Sequence, residues 1–143
     1  MKYPSDKVYE SAINACKSIV SMDNVLDVHK KELLSSIIWK ITERNGKFNT
    51  DYVSLEAKKI LGSNKTQKEK RKLLAHEHVF TRKYLIDQLL AKPAQYKKIL
   101  SQAIGCVVTR EEHIRLETIK NSEGWDRYEK AHIYYERNSQ IKT

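Results

Sequence analysis

The hydrophobic positions fall into short stripes with helical spacing. Val8, Ala12, Ile13, Ala15, Cys16, Ile19 and Val20 recur three and four residues apart, which predicts a helix with one apolar face. Pro4–Ser5–Asp6 opens it, with Ser5 able to cap and an acid in the first turn. Met22–Asp27 reads as a turn. A second helix, about Val28 to Glu43, turns Leu33, Leu34, Ile37, Ile38 and Ile41 inward. Trp39 widens that face, and Asn45–Gly46 ends the helix. Residues 46–54 read as irregular or extended, with Phe48, Tyr52 and Val53 available for packing. Ser54 then caps a short helix from Leu55 to Leu61, and Gly62 stops it.

The pattern changes after Gly62. Residues 63–72 are polar and strongly basic, and fit either a mobile loop or the exposed start of a helix. The stretch LLAHEHVF, residues 73–80, alternates weakly and predicts a short strand or a loop entering the core. Thr81 caps a helix with Tyr84, Leu85, Leu89 and Leu90 inward. Pro93 restarts the chain into another, carrying Tyr96, Ile99, Leu100 and Ala103. Residues 104–108, IGCVV, form the most strand-like run. Thr109 and Glu112 have capping-box spacing and predict a helix to about Lys120. Residues 121–124 read as a turn, and Trp125 to Arg137 as a last, aromatic-rich helix.

The expected fold is therefore mainly α: a single helical domain over residues 1–143. A small two-stranded β element, about 73–80 and 104–108, feeds a helix. Residues 1–61 form a helical scaffold, 62–120 a basic histidine-containing segment, and 121–143 a C-terminal helix and tail. A chain of 143 residues suits one domain with a real core. Only 4 Gly and 2 Pro argue against an all-β sandwich and its many tight turns. No apolar run approaches the ~20 residues of a membrane span, and MKYPSDK lacks the apolar segment of a secretory signal. Cys16 and Cys106 lie far apart and read as buried thiols of a reducing compartment. The expected location is cytoplasmic.

Charge changes the picture. The chain has 27 Lys plus Arg against 18 Asp plus Glu, a net charge of +9. The excess sits in the middle: residues 61–110 hold 11 basic and 3 acidic side chains. Such a segment attracts polyanions. Lys68, Lys70, Arg71, Lys72, Arg82, Lys83 and Arg110 are the candidate phosphate contacts. The expected partner is nucleic acid, DNA or RNA, with no membrane and with self-association left open.

Three of the five histidines, His76, His78 and His113, flank the two strand-like runs. A hard divalent cation takes carboxylate, imidazole and water ligands, and a neighbouring imidazole can deprotonate water. If residues 76–78 are extended, His76 and His78 share a face and Glu77 takes the other. That places His76, His78 and the third histidine, His113, as the group that can meet, with Glu77 outside it. A turn at His78 removes that constraint.

HEHVFTRKYLIDQLL followed by AIGCVVTREEHIRL resembles the HNH (ββα-metal) nuclease superfamily, over about residues 73–117. The resemblance implies His78 as the base that activates water, Glu77 and His113 as metal ligands, and Mg²⁺ or Mn²⁺ as the cofactor. The central Asn of that family has no clear counterpart here, and two helices fill a connection that is shorter in the family. A separate likeness, through CVVTREEH and GWDRYEKAHI, is to bacterial and phage proteins of no assigned activity. The leading expectation is a nucleic-acid-binding protein with HNH-like, metal-dependent phosphodiesterase or nuclease chemistry. The alternative is a non-catalytic phage or mobile-element factor that binds a host protein or an anionic nucleotide.

Overall fold

In a computed structural model, which describes residues 3–140, four helices make one side of the molecule. They are α1 (Ser5–Val20), α2 (Asp27–Thr42), α5 (Arg82–Ala91) and α6 (Tyr96–Leu100). Their apolar stripes meet in a core of Ala12, Cys16, Ile19, Leu34, Ile38, Ile41, Leu85, Leu89 and Leu100, among others. These are the positions at which three- and four-residue spacing puts side chains on one helix face. The first two helices therefore pack on α5 and α6 across the chain. No helix among the described residues is long and apolar enough to cross a membrane.

The other side is a four-stranded mixed sheet in the order β2-β3-β1-β4. Here β1 is Tyr52–Ser54, β2 Leu74–His78, β3 Gly105–Thr109 and β4 Tyr135–Arg137. The β1 strand runs parallel to β3, while β2–β3 and β1–β4 are antiparallel. One face carries Leu74, Val107 and Val53, covered by Ala57 and Ile60 of α3 (Leu55–Leu61). The opposite face carries Ala75, Cys106 and Val108, covered by Leu116 of α7 (Arg110–Thr118) and Tyr128 of α8 (Trp125–Lys130). The sheet is thus buried on both faces, as a sheet with a parallel pair needs.

The fold is rich in helix, but its β part is larger than the two strands expected. β1 and β4 are three residues each, too short to show a period of two. β4 lies where the aromatic spacing predicts helix. That helix stops at Lys130, and His132 takes a left-handed φ of 55° before the chain turns back to the sheet. Ser5 does not cap α1: Pro4 holds that position, and its carbonyl accepts from the Lys7 and Val8 amides at 3.1 Å. The expected caps Ser54, Thr81 and Thr109 all accept from the third residue onward. The basic stretch resolves as a helix, α4 (Gln67–Leu73), opened by a Thr66–Glu69 capping box. The last residues of the expected tail, 141–143, lie outside the described residues.

Gly105 is required by a close approach. A Cβ there would sit 2.7 Å from the Thr50 methyl and 3.3 Å from His76 Nε2. Thr50 cannot move away, because its hydroxyl donates to the Tyr52 carbonyl at 2.7 Å and accepts from the Val107 amide at 3.0 Å. Gly105→Ala is expected to destabilise the protein by about 1–3 kcal/mol in urea unfolding, the usual cost of overpacking. Thr50→Ser, which removes the obstructing methyl and keeps the hydroxyl, should recover part of that loss in the double variant. Simple additivity of the two changes would refute the contact.

Candidate functional site

The β2 strand presents three ionisable residues in a row. Because the strand continues through His78, alternation sends His76 and His78 to one face and Glu77 to the other. His76 Nε2 and His78 Nε2 each lie 3.0 Å from Thr42 Oγ1 at the end of α2. The Trp39 ring covers both imidazoles, at centroid distances of 4.6 and 4.8 Å. The Arg82 guanidinium lies 5.0 Å from the centre of that ring and donates to Ser35 Oγ at 2.8 Å. An open depression of about 330 Å³, lined by Glu32, Ser35, Ser36, Trp39 and Arg82, lies over the cluster.

The two imidazoles are held neutral. Burial pushes the His76 pKa down to about 4, and the charge of Arg82 adds to it. Burial pushes His78 down to about 3, followed by the effects of His76, Arg82 and Arg127. The Thr42 hydroxyl has one hydrogen, and the Trp39 carbonyl is 3.1 Å away. When it donates there, both imidazoles must donate to its lone pairs through Nε2–H. His76 Nδ1 is then left buried without a partner. A histidine held this low is poorly matched to taking a proton from water near neutral pH.

On the opposite face Glu77 is 9% exposed and lies between the His113 imidazole and the Arg127 guanidinium. Its Oε2 is 2.5 Å from His113 Nδ1 on α7, and its Oε1 is 3.2 Å from the Arg127 guanidinium on α8. His113 Nε2 lies 3.0 Å from Glu117. Both ring nitrogens therefore face carboxylates, and both can donate only when the ring carries two protons. The same Arg127 nitrogen donates to the carbonyls of His78 and Val79 at 2.8 and 3.2 Å. Nearby, buried Glu112 accepts from Ser54 Oγ at 2.6 Å and from the Thr109 amide at 2.9 Å, which ties α7 to the ends of β1 and β3.

The structure thus pairs His76 with His78, and Glu77 with His113, on opposite faces of one strand. The three histidines do not meet. Among the described residues no three His, Cys, Asp or Glu side chains gather as a metal site requires. A Mg²⁺ or Mn²⁺ ion does not fit the arrangement of Glu77 and His113, since each of their ligating atoms is already spent on another side chain. His78 also lies across the strand from them.

The candidate phosphate contacts divide into two groups. Lys68, Arg71 and Lys72 are exposed on α4, and Arg110 is exposed at the start of α7. Lys70 donates to the Leu61 carbonyl at 2.8 Å. Arg82 and Lys83 stand at the other end of β2, where Lys83 pairs with Asp87 at 3.0 Å. Both cysteines are free and buried. Burial pushes the Cys16 thiol up to about 11 and raises Cys106 further, so both are inert.

Sequence reasoning missed Thr42 and Arg127. Thr42 follows Trp39 by three residues, so the two share a helix face, which is a readable signal. Arg127 looks like any surface cation of an amphipathic helix, and nothing local marks it as buried. No protein-family model matches the chain, and neither the curated proteins nor the solved structures contain a significant match.

The low histidine pKa values predict acid sensitivity. Between the ordinary value of 6.5 and about 4 for His76 or 3 for His78, the unfolded chain binds protons that the folded protein refuses. Stability therefore falls as pH drops through 6.5, by up to about 1.4 kcal/mol per pH unit for each histidine. His78→Gln keeps a nitrogen donor for Thr42 and removes the titration. Urea unfolding at a series of pH values should show a shallower acid limb in this variant, and identical limbs would refute the shift. Arg127→Met leaves Glu77 with one partner fewer and is expected to lose about 3–5 kcal/mol. Adding Glu77→Gln should return most of it, and a double variant no more stable than the single one would refute the pair.

Proposed function

We propose that this protein binds nucleic acid through the phosphate backbone, on a surface built by α4 and the start of α7. The observation that carries the proposal is a set of cations without counter-charges. Lys65, Lys68, Arg71, Lys72 and Arg110 are exposed, and among the described residues none has a carboxylate partner. α4 buries no residue, so core packing does not explain it. The helix is short for an isolated one in water and is held by its capping box and by Lys70 on the Leu61 carbonyl. Arg110 reaches the Arg71 carbonyl at 3.4 Å and sets α7 beside it. A rigid element of this kind presents positive charge to a polyanion.

Metal-dependent cleavage is not part of this proposal, because the atoms that the HNH resemblance assigns to metal and water are engaged with other side chains. The cytoplasm is the compartment this reading suits, since nucleic acid is present there and free thiols stay reduced.

The test is fluorescence anisotropy with a labelled oligonucleotide across a salt series, with and without Mg²⁺. Each phosphate contact on a duplex adds about 0.9 to the slope of log K against log salt. Combined Lys68→Glu, Arg71→Glu and Lys72→Glu is expected to lower that slope by about 2–3 and weaken binding at least tenfold. The thermal midpoint should hardly move, since these side chains are exposed. No binding at low salt, or binding insensitive to salt, would overturn the reading. Binding of a nucleoside triphosphate without binding of the polymer would reassign the surface to a small anion.

A further inference from the structure

A groove of about 870 Å³ runs beside α4, and of the cations proposed above to contact the backbone it shares Arg110. Leu55 and Ile60 of α3, Leu73 of α4, Arg110 and Arg115 of α7, and Tyr134 line it. Three of these apolar residues are unusually open: Leu55 is 40%, Leu73 39% and Tyr134 72% exposed. The Tyr134 side chain makes no ring contact, hydrogen bond or ion pair with another described residue.

Tyr134 is exposed but its backbone is fixed. The Tyr134 carbonyl accepts from the Leu55 amide at 3.0 Å. Tyr135, next in the chain, stacks on Trp125 at 3.8 Å and 11°. On the other side, His132 holds a left-handed φ of 55° and the Ile133 amide donates to the Tyr128 carbonyl at 2.9 Å. A non-glycine residue in that conformation is strained and persists only where surroundings impose it. Here it turns the chain out of α8 and brings Tyr134 to the rim of the groove. The result is an aromatic ring whose base is immobile and whose faces are free, which lowers the ordering cost of stacking a ligand on it.

The charges around the groove favour an anion. Glu56 is paired with Lys59 at 3.0 Å, and Glu112 is spent on Ser54 and Thr109. Among the described residues, Glu111 is the one lining carboxylate without such a partner. Arg110 and Arg115 line the groove, Arg110 reaches the Arg71 carbonyl of α4 at 3.4 Å, and the buried Nε of Arg115 has no partner among the described residues. An apolar floor with a free aromatic and flanking cations fits a chain that carries unstacked bases on a phosphate backbone. A duplex keeps its bases stacked inside and cannot fill it.

We infer that the groove holds an unpaired base of a single-stranded nucleic acid, stacked on Tyr134, while α4 and Arg110 hold the adjoining phosphates. This rests on the nucleic-acid reading above and adds strandedness and base contact to it. The test compares labelled oligothymidine of about twelve nucleotides with its duplex on oligoadenine of the same length. The expected result is binding about tenfold tighter to the single strand. Tyr134→Ala should lose about tenfold on the single strand and little on the duplex, the scale of one base–aromatic stack. Tyr134→Trp should retain the affinity, and its indole fluorescence should be quenched on binding. Equal affinity for both forms, with Tyr134→Ala unchanged and the α4 charge reversals still weakening binding, would overturn this inference and leave the backbone reading intact. If neither form binds, both fall and the groove belongs to a peptide or to a second copy of the chain. Sedimentation would show the latter as a dimer that Tyr134→Ala dissolves.

Discussion

The contact between Arg127 and Glu77 is the constraint on which the sheet side of the molecule depends. Glu77 is on an edge strand that is nonetheless buried, and an isolated carboxylate there would cost several kcal/mol. The Arg127 guanidinium neutralises it and also takes the His78 and Val79 carbonyls, just past which the strand stops pairing. One side chain of α8 therefore ends β2, compensates its central charge and fixes α8 on the sheet. Arg127 is itself buried at 6% exposure, so each partner is costly without the other.

The rest of the β2 cluster follows from placing three ionisable side chains in sequence on a buried strand. Alternation prevents them from compensating one another, so each face needs its own solution. Towards α7 and α8 the solution is an ion pair with Arg127 and a hydrogen bond to the His113 ring. Towards α2 no carboxylate among the described residues pairs with the histidines, and Arg82 adds positive charge. There the solution is neutrality: two uncharged imidazoles share one threonine hydroxyl under an indole ring. The face towards α2 is the acid-sensitive one, because burial makes His76 and His78 resist protonation in the folded state.

The helical half of the fold was legible because its stripes are long. α1, α2 and α5 each repeat apolar residues over two or more turns, and caps such as Ser54, Thr81 and Thr109 act through neighbours three residues away. β1 and β4 were not legible, since three residues carry no period and their pairing is decided by partners about 50 and 80 residues distant. The alternation of His76, Glu77 and His78 was readable from the strand pattern. That His113 meets Glu77 and not the other histidines depends on how α7 lies on the sheet, which no local pattern encodes. Arg127 was missed for the same reason: burial of a cation is set by a distant carboxylate.

Interior and surface obey opposite rules here, and the contrast is what supports the proposed nucleic-acid surface. Nearly every buried ionisable group has been matched or kept neutral: Glu77 with Arg127 and His113, Glu112 with Ser54 and the Thr109 amide, the imidazoles with Thr42. On α4 and at Arg110 the cations have no carboxylate partner among the described residues, although exposed carboxylates such as Glu111 are close in sequence. Clustered like charges repel and stabilise nothing in the folded state. The capping box and the Lys70 tether hold α4 in place against that repulsion, so the cluster is maintained by local structure and not by the core. A polyanion removes the repulsion on contact. On the proposed reading, the free energy that α4 withholds from folding is available for binding, and the adjoining groove would supply the apolar contact that charge alone does not.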